Sequence, residues 1–169
     1  DLLMPVLRHL PRKDVNVSMG YALARSNLAQ LLETLLSLRE NRGEPGQYYW
    51  KDLLDAIRHP YLKMLSIDGD EVLRPLFRTM ENQIRNSGKY IDVRALFNDV
   101  RESLSAPPPP GREEEQLDAA TTALAGELLD AVLENCLLGL EEVTTLRELA
   151  TRLHNLSGML LEHGGDLWS

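Results

Sequence analysis

A single cysteine, Cys136, leaves this 169-residue chain without an internal disulfide framework and without any cysteine-based zinc site. Its leucine neighbours Leu133, Leu137 and Leu138 mark it as a buried structural thiol. No apolar run approaches the roughly 18 residues that a membrane-spanning helix requires. No charged-then-apolar signal peptide opens the chain, so the expected location is cytoplasmic. Aromatic residues make up only 5%. Lysine is scarce too: Lys13, Lys51, Lys63 and Lys89 are the full set. None has an acidic residue two positions before it, which removes the acid-x-Lys signature of two-metal nucleases.

Other chemistry is missing as well. There is no G-x-x-x-x-G-K-[ST] phosphate loop, no G-x-G-x-x-G dinucleotide turn and no H-E-x-x-H zinc helix. His9, His59, His154 and His163 lack metal-ligand spacing. The Asp68-Gly69-Asp70 run resembles the start of a calcium loop, but its twelfth position is Thr79 rather than glutamate. It reads as an acidic turn that caps the helix after it. The residues themselves provide no catalytic group, no metal site and no cofactor site.

What is present is an ordinary globular composition, 43% hydrophobic and 26% charged, with a net charge of −8. The charge is uneven. Residues 1–60 balance at +1, residues 61–104 at zero and residues 105–169 at −9. A duplex-binding surface gains affinity by replacing condensed counterions with Lys and Arg, so the last third is a poor candidate for it. Asp1 opens the chain, and Trp168 follows a double glycine at the other end. Both features lead to the expectation of a single domain, 1–169, excised from a longer protein.

Apolar spacing predicts an all-α fold of six or seven helices, with one short strand near 15–19 where Val15, Val17 and Met19 alternate. Asp1–Leu10 reads as a short amphipathic helix. Ser26 or Asn27 caps a leucine-rich helix reaching Asn41, and Arg42–Gln47 is a turn. Tyr48–His59 reads as an amphipathic helix stopped by Pro60, with Tyr61–Leu65 a further helical turn. Helices follow over Glu71–Asn86 and from Asp92 to about Leu104. Pro107–Pro110 forms an extended run, so that the loop 105–111 separates subparts 1–104 and 112–169. Leu117–Leu140 is the longest expected helix, entered through Glu113-Glu114-Glu115. Thr145 and Glu148 form a capping box for the last helix, whose stripe is Leu146, Leu149, Leu153, Leu156 and Leu160.

A more specific signal lies in the segment Asn16-Val17-Ser18-Met19-Gly20-Tyr21, with Leu23 and Ser26 and a leucine-rich helix after it. It follows Leu2-Leu3-Met4-Pro5-Val6-Leu7 and Leu10-Pro11, and precedes Tyr48-Tyr49-Trp50-Lys51-Asp52-Leu53-Leu54 and His59-Pro60-Tyr61-Leu62. This series resembles AddB-type subunits of bacterial helicase–nucleases, many of them PD-(D/E)xK nuclease family proteins. Motif content covers residues 2–62, and Glu162-His163-Gly164-Gly165-Asp166-Leu167-Trp168 is also similar. Ala22 stands where the family commonly has proline. More remotely, the layout is similar to the helical 2B-type insertion of superfamily 1 helicases.

The resemblance implies a parent that processes DNA double-strand breaks in recombinational repair, working with a partner helicase–nuclease subunit. This segment would be a non-catalytic scaffold, DNA guide or subunit contact. The candidate nucleic-acid-binding residues are Arg74, Arg78 and Arg85 on one helix face, with Arg58 and Lys63 nearby. On charge pattern alone the same row reads as a solvated face balanced by Glu71 and Glu81. Tyr48, Tyr49 and Trp50 are either a stacking platform for single strands or core residues with one at an interface. The alternative function is a helical protein-interaction module whose acidic C-terminal part docks a basic partner.

Overall fold

A computed structural model describes residues 26–105 and 118–164. The expected helix Asp1–Leu10, the strand near 15–19, the Pro107–Pro110 run and Glu113–Glu115 lie outside the described residues. Within them the chain is mainly helical, with one short two-stranded sheet. The elements are α1 (Asn27–Glu40), β1 (Gln47–Tyr49), α2 (Trp50–Ile57), α3 (Pro60–Lys63), α4 (Leu73–Asn86), β2 (Tyr90–Asp92), α5 (Val93–Ser105), α6 (Ala119–Val132) and α7 (Leu146–His163). A π-helical turn, Leu133–Leu137, continues α6.

Local chemistry sets the helix starts. The Ser26 hydroxyl accepts from the Ala29 amide and caps α1, and the Asp118 carboxylate does the same for α6 through Thr121. At α7 the Thr145 side chain accepts from the Glu148 amide while the Glu148 carboxylate accepts from the Thr145 amide, completing the capping box. At α4 the structure departs from expectation. The Asp68-Gly69 pair takes left-handed backbone angles (φ 52° and 91°) in a tight turn closed by Ile67 and Asp70, whose backbones bond each other. Helix α4 then follows Val72, which gives it no side-chain cap, because valine carries no acceptor and both aspartates lie earlier in the chain than the cap position.

The sheet is the larger correction. Tyr48 and Tyr49 are not helical: Gln47, Tyr48 and Tyr49 pair antiparallel with Asp92, Ile91 and Tyr90 respectively. A turn through Glu44-Pro45-Gly46-Gln47, with Gly46 at φ 78°, sends the chain into β1. Only then does α2 begin, at Trp50. The short strands alternate, with Tyr48 and Ile91 inward and Tyr49 and Tyr90 outward.

One core spans both sides of residues 106–117. Leu31, Leu35 and Leu38 of α1 join Leu53 and Ile57 of α2, Phe77 and Met80 of α4, Val100 of α5, Leu129 and Val132 of α6, and Leu156 and Leu160 of α7. Polar ties cross the same divide. Arg94 pairs with Glu134 at 3.1 Å, Arg101 with Asp130 at 2.8 Å, and Arg39 donates to the Val143 carbonyl.

The expected long helix to Leu140 changes character at Leu133. There the Leu138 amide bonds the Leu133 carbonyl, one residue wider than an α-turn. Gly139 fits next because a Cβ would sit 2.6 Å from the Glu134 carbonyl oxygen. Against this turn Tyr48 is fully buried, its hydroxyl 2.7 Å from the Leu137 carbonyl and 2.6 Å from a Glu141 carboxylate oxygen that also accepts from the Gly46 amide. Burial, then the Glu141 hydrogen bond and charge, raise the phenol well above its ordinary range, so it keeps its proton. Cys136 is buried in the same π-helical turn, and burial pushes its thiol up to about 12. Of the expected α7 stripe, Leu156 and Leu160 are buried, Leu149 and Leu153 half-buried, and Leu146 is 85% exposed. Helix α7 docks by its C-terminal half, fixed where the Ser66 amide bonds the His163 carbonyl at 2.8 Å.

Candidate nucleic-acid interface

The five cations singled out in the sequence meet different fates. Arg58 is the C-cap of α2 and Lys63 the last residue of α3, and α4 runs past both. Their side chains converge on one carboxylate, Glu81 of α4, with Arg58 Nε at 2.8 Å and Lys63 Nζ at 2.7 Å. Burial raises the Glu81 carboxyl, but the hydrogen bonds from Lys63 and Arg58 outweigh it and hold the group below its ordinary range. Two cations on one anion leave a local charge of +1. Arg74 is tied to Glu71 one turn away. Arg78 and Arg85 are exposed, and neither is in an ion pair among the described residues. Arg85 sits in the last turn of α4, where a cation also complements the helix dipole.

Beneath this cluster the His59-Pro60-Tyr61 motif has a structural explanation. His59 is buried and caps α3, its Nδ1 accepting from the Tyr61 amide at 3.3 Å, with Pro60 as the first helical residue. That bond requires a neutral ring, and burial lowers the histidine's pKa accordingly. The imidazole packs edge-on to Tyr61 at 5.6 Å. It is a cap rather than a ligand.

The aromatic segment splits in two. Tyr48 belongs to the core, whereas Tyr49 is half-buried on the outer side of the hairpin, where Tyr90 joins it from β2; Trp50, at the start of α2, is half-buried and packs partly against the core. Tyr49 stands 6.2 Å from the Trp50 ring and 6.2 Å from the Tyr90 ring, tilted at 59° to each. Lys51 Nζ lies 5.5 Å from the centroid of Trp50, and Lys89 Nζ lies 5.4 Å from that of Tyr90. Both lysines are exposed, and neither has an ion-pair partner among the described residues. Three of the chain's nine aromatic residues and two of its four lysines thus share one small face.

Sequence patterning does not single out Lys89 and Tyr90. Tyr90-Ile91-Asp92 is too short for its alternation to register, and its partner strand lies about 40 positions earlier in the chain. Next to Tyr90 a groove of about 590 Å³ opens between α4 and α5, lined by Thr79, Asn82, Gln83, Asn86 and Asp99. The Gln83 Oε1 atom is buried there with no hydrogen-bond partner. Among the described residues, no group of three or more His, Cys, Asp or Glu could hold a metal, and no helix is long and apolar enough to cross a membrane.

Comparison with protein-family models, with curated proteins and with solved structures finds no match.

Proposed function

We propose that this chain is a non-catalytic, nucleic-acid-contacting helical unit, the class of accessory domain that guides DNA without altering it. More particularly, it serves as the helical insertion of an AddB-type helicase–nuclease subunit acting in double-strand-break processing and recombinational repair. The motif series over residues 2–62 supports the family assignment. The observation that carries the nucleic-acid reading is the placement of unpaired cations. Lys51, Lys89, Arg78 and Arg85 stand exposed without carboxylate partners among the described residues, although acidic groups outnumber basic ones 26 to 18 in the chain. Such groups bind phosphates and release counterions. ATP hydrolysis and strand cleavage belong to other parts of the parent, and this segment requires no cofactor. Its other role is to rigidify the subunit and meet a partner subunit.

A salt titration of the 169-residue chain against duplex and single-stranded DNA tests the reading. Binding at low salt that falls steeply as salt rises is the expected result. Absence of binding to either form at low salt would remove DNA contact and leave the protein-interaction module with an acidic C-terminal half.

A further inference from the structure

We propose that the outward face of the β1–β2 hairpin is a stacking platform for single-stranded nucleic acid, with bases on Tyr90, Tyr49 and Trp50 and phosphates at Lys51 and Lys89. The inference rests on the nucleic-acid reading above and deepens it by naming the form of the ligand and its seat.

Single strands differ from duplexes in presenting the flat faces of their bases. A protein site for them combines aromatic rings with cations that follow the backbone. In this hairpin the antiparallel register puts Tyr49 directly opposite Tyr90, both outward, and Trp50 extends the row at the start of α2. The rings are mutually tilted rather than stacked in parallel, and a base takes its place on Trp50 or Tyr90 by displacing the exposed lysine side chain that stands over the ring. Tyr90 is 44% exposed, a large fraction for a ring in so aromatic-poor a chain. One ammonium group stands over each outer ring, Lys51 over Trp50 and Lys89 over Tyr90, and the Trp50 amide bonds the Lys89 carbonyl, so both cations belong to the same end of the hairpin.

Asp92, the acidic residue on the same face, pairs with Gln47 at the far end of the strands and is engaged by the Ala95 amide as the cap of α5. The groove beginning at Tyr90 is lined by the amides of Asn82, Gln83 and Asn86 and by the carboxylates of Asp92 and Asp99, a lining that suits the polar edge of a base and not a phosphate. A duplex cannot use this face, because its bases are already stacked and paired. The Arg78–Arg85 side of α4 presents guanidinium groups without rings and suits a duplex backbone.

The test uses the 169-residue chain and fluorescein-labelled oligothymidylate, with a labelled mixed-sequence duplex as the second probe. The single strand should bind more tightly than the duplex at equal salt. Tyr90→Ala should weaken single-strand binding roughly tenfold, and Tyr90→Trp should restore it. In a Trp168→Phe background, bound oligothymidylate should quench Trp50 fluorescence. Replacing Lys51 and Lys89 with glutamate should weaken single-strand binding and flatten its salt dependence.

Because Tyr90 is exposed, the variant should melt with the parent chain, so loss of binding reads on the surface. Single-strand affinity unchanged in a folded Tyr90→Ala variant overturns the platform. Binding to duplex alone, abolished by Arg78→Glu with Arg85→Glu, overturns it while the broader DNA reading survives. Absence of binding to both probes removes both readings.

Discussion

Two surfaces of this chain carry cations, and they are built in opposite ways. On the α4 side Arg58, Lys63 and Arg74 look in sequence like a phosphate-binding row, yet Glu81 and Glu71 engage them within the fold. On the hairpin face Lys51 and Lys89 sit singly in sequence and form no basic row, yet they stand against aromatic rings with no ion-pair partner among the described residues. A basic residue is available to a ligand only in proportion to what the fold leaves unpaired. Linear density of charge measures something else.

The sharpest way to break this contrast is to exchange the roles of the hairpin's two faces. Tyr48 is buried and links the hairpin to the π-turn, so Tyr48→Ala removes a core ring and leaves the Leu137 carbonyl without its phenol. The expected loss is about 3–5 kcal/mol in urea-unfolding free energy. Tyr90→Ala on the outer face should cost about 0.5 kcal/mol or little more. Comparable losses at both positions would mean that the outer ring is a structural element rather than a binding surface.

Glu81→Gln addresses the other side. It leaves Arg58 and Lys63 without their carboxylate, changing the local charge from +1 to +2. Each cation remains more than a third exposed, so solvent screens the pairs, and the stability cost should be about 1 kcal/mol by thermal melting. Duplex affinity should rise and depend more steeply on salt, while single-strand affinity at the hairpin stays level. If neither affinity changes, the α4 side does not meet DNA.

Much of this architecture is legible in the sequence, for identifiable reasons. The caps at Ser26 and Thr145, the helices α1, α4 and α5, and the buried Cys136 follow from interactions within a few residues. The hairpin is not legible, because a three-residue strand gains its identity from a partner about 40 residues away. Nor is the π-turn, whose Leu137 carbonyl meets the Tyr48 hydroxyl from 89 positions earlier in the chain. The same distance hides the candidate site. Arg74 and Glu71 are neighbours in sequence, but the pairing of Arg58 and Lys63 with Glu81 and the approach of Tyr49 to Tyr90 are tertiary facts.

Acid should separate the two surfaces further. His59 must be neutral to accept from the Tyr61 amide, and burial lowers its folded pKa. The unfolded chain takes up a proton near pH 6.5 while the native chain does not. The stabilisation is therefore complete above about pH 6.5 and declines as pH falls below that toward the folded value. Glu81, also lowered on balance, adds a second loss at more acid pH, once the pH falls below the ordinary carboxyl value and through the folded one. The Tyr48 phenol, shifted upward, stays protonated throughout. Hydrogen-exchange protection should fall first for amides of α3 and later for β1, and simultaneous loss would show that the two regions open as one unit.

The smallest effect is expected from the two arginines of the sequence-predicted row that are in no ion pair among the described residues. Arg78 and Arg85 lie seven residues apart on one face of α4, unpaired among the described residues and without an aromatic neighbour. A guanidinium in that setting can meet a phosphate but cannot stack on a base unless the strand is already held. Replacing both with alanine should therefore lower the slope of duplex binding against salt by about 1 for each phosphate left without its guanidinium. Single-strand affinity should move by less than about twofold, since stacking supplies most of it. A large single-strand loss in that double variant would mean that one strand runs across both surfaces, and the division between ring-bearing and charge-bearing faces would give way to a continuous track from the hairpin along α4.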